Sequence, residues 1–162
     1  MAESKPVLPE TIELEIVTPQ KHVLAATVTW VEIPGRDGYL GILPGHAALI
    51  TELGIGVLVY RIESETNYVT VMNGFAEVLA GRVIVLAEVA ERAAEIDVAR
   101  AESARHRAQE RLVKSAGIDV DWNRAELALQ RATARLEAGE KAGSAGSIPV
   151  VAGAGAGQHH GA

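Results

Sequence analysis

VIVLAEVAERAAEIDVARAESARHRAQERL, residues 83–112, changes its period partway through. Val83–Val89 is dominated by β-branched and aliphatic residues that suit a pleated strand. From about Glu91 onward Ala, Arg and Glu take over, no Pro occurs until Pro149, and only Gly117 and Gly139 interrupt before position 140. These are helix formers. The stretch therefore separates an all-β part from an all-α part, and the chain divides into two small domains. They are a β-sandwich over residues 11–89 and an antiparallel α-helical hairpin over residues 90–140. Residues 1–10 form an N-terminal extension. Residues 141–162, rich in Gly and Ala with little charge, have the composition of a disordered tail.

Upstream of the switch the pattern has the period of a strand. Ile12, Leu14 and Ile16 alternate with Glu13 and Glu15, which places apolar groups on one face and carboxylates on the other. Further runs at His22–Ile33, Gly56–Glu63, Tyr68–Met72, Phe75–Leu79 and Val83–Val89 are separated by Gly, Pro or Asn, as short strands of a sandwich or barrel are. Ala80-Gly81-Arg82 predicts a hairpin loop in which Gly81 supplies a positive φ.

Downstream, two stripes repeat at three- and four-residue spacing. Ala90, Ala94, Asp97, Ala101, Ala104, Ala108 and Leu112 mark one helix face, and Trp122, Ala125, Leu129, Ala132 and Leu136 mark another. Between them, Gly117 suits a helix stop and Asp121 an N-terminal cap. Stripes made mostly of Ala bury little apolar area, since each buried CH₂ group is worth only about 0.8 kcal/mol. The hairpin is therefore expected to be held weakly and to detach without unfolding the β domain.

Composition excludes several function classes. The formal net charge is −6. Residues 1–89 carry 5 Lys/Arg against 11 Asp/Glu, and residues 90–141 carry 10 of each, so no basic face is available for phosphate neutralisation. The six aromatic residues are too few for base-stacking platforms, and no nucleic-acid partner is expected. Cysteine is absent, which removes disulfide and thiolate chemistry. No stretch reaches the ~20 apolar residues of a membrane span, and MAESKPVLPE lacks the apolar core of a signal peptide.

The chain also lacks the usual catalytic motifs. No P-loop, GxSxG elbow or HExxH occurs, so neither a catalytic residue nor a metal site is expected. His159-His160 and the Gly153-Ala-Gly155-Ala-Gly157 run fit an inert tail, because two imidazoles do not close a metal site and neither strand nor helix flanks the glycines.

One segment stands out, Gly35-Arg36-Asp37-Gly38-Tyr39-Leu40-Gly41-Ile42-Leu43-Pro44-Gly45-His46-Ala47-Ala48-Leu49, with Thr18-Pro19 before it. Its glycines allow sharp reversals and Pro44 stiffens the turn, so taken alone it reads as a tight inter-strand loop with nothing bound. It resembles the G-x-x-G-x-x-G-I-L-P-x-H-x-P-L signature of the epsilon subunits of F-type ATP synthases, with Ala48 where that family often has Pro. Asn73-Gly74-Phe75-Ala76-Glu77-Val78 through Val85-Leu86-Ala87-Glu88 resembles the family's G-G-F-x-E-V hairpin, with Asn73 replacing the first Gly. The resemblance spans roughly residues 11–140.

The resemblance implies a non-catalytic rotor-stalk subunit, peripheral on the cytoplasmic side of the energy-coupling membrane. It would join the gamma subunit to the ring of c subunits. Its helices would reach into the alpha/beta catalytic head and inhibit ATP hydrolysis. The loop would face the c-ring, which makes Tyr39, Leu43 and His46 candidate ring contacts, although His46 also fits a plain turn residue. Ile96-Asp97-Val98-Ala99-Arg100-Ala101 resembles the family's I-D-x-x-R-A motif for regulatory ATP. Ile96, Asp97, Arg100 and Ala101 are thus candidate ATP-binding residues. By the same resemblance Glu91 fits the acidic residue before the motif, and Arg131 and Arg135 fit the pair on the second helix. The residues alone equally allow Asp97 to form an intrahelical pair with Arg100.

Two other classes compete: a free-standing β-sandwich ligand-binding or ATP-sensing module, and an ATP-hydrolysing enzyme. The second ranks last, because no Mg²⁺-ligating set or activating base accompanies the arginines.

Overall fold

The computed structural model describes residues 8–114 and 121–145. Strands β1 (Ile12–Val17), β2 (His22–Val28), β3 (Trp30–Gly35), β4 (Gly38–Ile42), β5 (Leu49–Ile62), β6 (Glu65–Leu79) and β7 (Arg82–Arg92) precede a 3₁₀ turn, Ala93–Glu95, and helices α1 (Val98–Lys114) and α2 (Trp122–Ala145). The strands form one sheet in the order β2-β1-β7-β6-β5-β3-β4. Neighbours are antiparallel except β1 and β7, which are parallel.

A coordinated corner turns this sheet into a two-layer sandwich. Successive side chains of a strand face opposite sides, yet the core takes Leu53 together with Leu58 and Tyr60 from β5, Val69 and Val71 together with Ala76 and Val78 from β6, and Val85 and Ala87 together with Ala90 from β7. Inward residues change parity in all three strands at one level, where Leu53↔Gly74↔Ala87 and Ile55↔Met72↔Val89 flank Gly54, Asn73 and Glu88. The change is made in β6, where Asn73 has φ 57° and Gly74 φ 118°. Asn tolerates the left-handed region, and its Nδ2 donates to Glu88 Oε2 at 3.1 Å. A Cβ on Gly74 would collide with the Leu86 carbonyl, so glycine is required there. One layer thus contains β1, β2 and the parts of β5, β6 and β7 on one side of the corner. The other contains the remaining parts with β3 and β4.

Helix α2 lies on the outer face of the second layer. Ala138, fully buried, packs with Val57 and Val59, and Trp30, Tyr68, Ala93 and Ile96 surround them. This explains why Val57, Leu58, Val59 and Tyr60 are buried consecutively, and Val69–Met72 likewise: the core covers one side and the helix the other. Thr70, also fully buried, donates its hydroxyl to the Glu91 carbonyl at 3.3 Å. Helix α1 packs on α2, burying Ala101 and Ala108 against a partner that buries Ala125, Ala132, Ala134, Leu136 and Ala138.

The β-sandwich followed by two helices is the architecture expected from the change of period, with local corrections. Tyr68–Met72 and Phe75–Leu79 are one strand, because Asn73-Gly74 bends the chain without ending the ladder. His22–Ile33 divides at Thr29, β5 begins at Leu49 instead of Gly56, and Gly38–Ile42, expected to be loop, pairs as β4. The sheet continues to Arg92, beyond the boundary at 89, so Ala90 belongs to β7 and Ala94 to the 3₁₀ turn. Helix α2 extends to Ala145, so residues 141–145 are helical instead of disordered. Trp122 is exposed at its start, off the buried stripe. Gly38, Gly45 and Gly74 adopt positive φ but Gly81 does not. Gly117, Gly153–Gly157 and His159-His160 lie outside the described residues.

Candidate functional site

A cleft of about 360 Å³ opens where β7, the 3₁₀ turn, α1 and α2 meet, lined by Glu91, Glu95, Ile96, Asp97, Arg100, Ala101, Ala104, Arg107 and Arg135. Glu91 reaches it because Arg92, not Val89, ends β7. Its carboxylate receives Arg135 in a fork, Nε to Oε2 at 2.6 Å and Nη2 to Oε1 at 3.2 Å, and both side chains are about one-third exposed. The same Nη2 lies 4.0 Å from the sulfur of buried Met72, so the guanidinium also covers the sheet.

Asp97 is exposed, which corrects the expectation of a carboxylate buried in the helix stripe. Its Oδ1 accepts the Arg100 backbone N–H at 2.9 Å, the geometry of an N-terminal cap, and no bond to the Arg100 guanidinium forms. Asp121 does the same for α2 through the Arg124 N–H at 3.0 Å. Glu95 is held below the usual carboxylate range, chiefly by its hydrogen bond from Arg92 at 2.7 Å, with Lys21 adding at 3.5 Å.

The structure therefore brings Glu91, Ile96, Asp97, Arg100, Ala101 and Arg135 to one cleft and leaves Arg131 out of its lining. Arg107 joins it unforeseen. Its spacing of seven from Arg100, two helical turns, was the available clue. Chemically the cleft offers three guanidinium groups, of which Arg135 is already engaged by Glu91, beside the apolar Ile96 and Ala104.

The three loop candidates separate. Leu43 and His46 share one turn, with the His46 N–H on the Leu43 carbonyl at 3.1 Å and Nδ1 donating to the Ala47 carbonyl at 2.8 Å. The Gly45 N–H ties this turn to the Ala80 carbonyl. Tyr39 lies instead on the face shared with α2. Its hydroxyl accepts the Val57 N–H at 3.4 Å and it contributes to the raised pKa of Lys141, whose main cause is a hydrogen bond to Glu137.

The outer face of the first layer is a surface that the sequence reading did not identify. Cross-strand register gives one row Ile50–Glu77–Ile84–Glu15 and a second row Glu52–Phe75–Leu86–Val17. Ile50, Phe75 and Leu86 are 73%, 57% and 56% exposed. The clue was that both parities of β6 and β7 are apolar. Among the described residues no group of three His, Asp or Glu side chains could hold a metal ion, and no helix is long and apolar enough to cross a membrane.

Residues 11–93 match the family "ATP synthase, Delta/Epsilon chain, beta-sandwich domain", and residues 94–140 match "ATP synthase, Delta/Epsilon chain, long alpha-helix domain". The ATP synthase epsilon chain of Solibacter usitatus is 46% identical over 134 residues, covering 83% of this chain and 99% of its own length. That of Syntrophobacter fumaroxidans is 48% identical over 132 residues, covering 82% and 98%. Among solved structures, the chain resembles one in the Euglena gracilis mitochondrial ATP synthase, OSCP/F1/c-ring assembly, with TM-score 0.70 and 25% identity, covering 87% of this chain and 86% of the other. With both domains matched in order and relatives aligned along nearly their whole length, the chain belongs to the epsilon subunits of F-type ATP synthases.

Proposed function

We propose that this epsilon subunit is a non-catalytic rotor-stalk protein whose first-layer outer face docks on the gamma subunit. The turn at Leu43 and His46 meets the c-ring, and the helices regulate hydrolysis in the alpha/beta head. The observation that carries this reading is the asymmetry of the sandwich. Its second outer face is filled by α2, whereas Ile50, Phe75 and Leu86 stand exposed on the first. Contiguous exposed apolar groups of this kind mark interaction surfaces. The subunit would then be peripheral, on the cytoplasmic side of the coupling membrane. Capture of the whole chain from solubilised membranes, with mass spectrometry of what accompanies it, tests the reading. Gamma and c subunits are expected, and the Phe75→Ser variant should retain neither.

The cleft supports a regulatory role for ATP. Arg100, Arg107 and Arg135 converge from two helices, and guanidinium groups fork to phosphate oxygens. Asp97 caps α1 through one oxygen, and its carboxylate can accept from a ribose or base donor. Bound ATP would bridge the helices and stabilise the docked hairpin by mass action. Calorimetry should detect ATP binding that weakens in Arg135→Ala and in Asp97→Ala. Absence of ATP heat at millimolar concentration would remove this role and leave the rotor role intact.

A further inference from the structure

The bare face has a carboxylate near its centre. Glu77 is flanked across the strands by Ile50 and Ile84 and along β6 by Phe75 and Leu79, all on the outer side. The neighbouring carboxylates are engaged. Glu13 accepts from Thr27 at 3.0 Å, Glu15 from Arg82 and His22 at 3.1 Å each, Glu52 from Arg36 at 2.8 Å, and Glu88 from Asn73 at 3.1 Å. Among the described residues Glu77 has no such hydrogen bond or ion pair.

Water solvates Glu77 while the face is bare. A partner that covers Ile50, Phe75 and Leu86 strips that water, and an unpaired carboxylate under an apolar contact is strongly disfavoured. Apolar closure leaves Glu77 in need of donors from the partner, and a Lys or Arg supplies both the hydrogen bonds and the opposite charge. The excess of carboxylates over residues 1–89, 11 against 5 Lys/Arg, would draw such a cation toward this domain. We propose that the stalk subunit docking on this face inserts a Lys or Arg that pairs with Glu77 inside a collar of Ile50, Phe75, Ile84 and Leu86. This rests on the docking role proposed above. The apolar collar would supply affinity, and Glu77 would supply register and reject partners that lack the cation.

The test measures the affinity and dissociation rate of the full-length chain for the purified gamma subunit, with Glu77→Gln, Glu77→Lys and Phe75→Ser compared. Glu77 is exposed, so thermal unfolding of its variants should match the parent. Glu77→Gln should weaken binding by about ten-fold or more, mainly through faster dissociation, and Glu77→Lys should weaken it further. If Phe75→Ser weakens binding but Glu77→Gln binds as well as the parent or better, the face docks without a cation at Glu77 and the inference is overturned. If Phe75→Ser is also without effect, the docking role of the face fails, and the inference with it.

Discussion

The two outer faces of the sandwich are made by the same three strands on either side of one corner, yet one is covered and the other is bare. Beyond the corner, Val57, Val59 and Met72 are buried beneath α2. Before it, Ile50, Phe75 and Leu86 occupy the equivalent outer position and remain exposed. Hydrophobicity alone does not distinguish the sets. The difference is that the chain carries its own cover for one face, fastened by small residues and the Glu91–Arg135 pair, and none for the other among the described residues. Such a fastening is light, because Ala138 contributes one methyl where Leu would contribute four carbons.

The two faces are most severely disrupted at the corner itself. Gly74→Ala forces a side chain into the Leu86 carbonyl at φ 118° and should destabilise the whole β domain by more than about 3 kcal/mol, read by chemical denaturation. If the variant is as stable as the parent, the corner does not define the two faces.

Ala138→Glu attacks the covered face alone. It introduces a carboxylate between Val57 and Val59 at a position with 0% exposure, and should cost the docked hairpin about 3 kcal/mol or more. Hydrogen exchange should show α2 losing protection while strands β1, β2 and β7 keep theirs. Equal loss in both regions would mean that the β domain depends on its cover.

Arg135→Ala sharpens the same contact at lower cost. Its pair with Glu91 is forked but about one-third exposed, so a loss of about 1 kcal/mol in hairpin docking is expected, diminishing as salt is added. A salt-independent loss would assign the effect to the packing of Arg135 over Met72.

The smallest effect belongs to the bare face. Glu15 has its pKa lowered by hydrogen bonds from Arg82 and then His22. A lowered carboxylate stabilises the fold above its unfolded pKa, and that contribution disappears as pH falls through the folded value. The stability difference between the parent and Glu15→Gln should therefore be small at neutral pH and vanish in acid. A difference that grows in acid would contradict the ion pair.

Much of this was legible in the residues. Alternation at Ile12, Leu14 and Ile16 identifies a half-buried strand because a strand has a period of two, and all three are buried. Asp121 could be read as a cap because its short side chain reaches back to its own helix. Asp97 misled for a related reason: stripe spacing places a residue on a helix face only if the helix has begun, and here it begins at Val98. Tyr39, Leu43 and His46 belong together only by the family resemblance of their shared signature, and the pairing of Gly38–Ile42 as a strand sends the tyrosine to the other outer face.

From local residues alone came the order of the two domains, the alternation of β1 and the cap at Asp121, since these depend on neighbours within about a helical turn or a hairpin. Tertiary structure alone decided that Asn73-Gly74 would be a corner within one strand and not a break between two. It also decided that Arg135 would meet Glu91 across 44 residues and that Arg107 would complete the cleft. It selected which apolar face α2 would cover as well. These outcomes depend on which surfaces fit together after the sheet has bent, and that fit is a property of packing in three dimensions that no local run of residues contains.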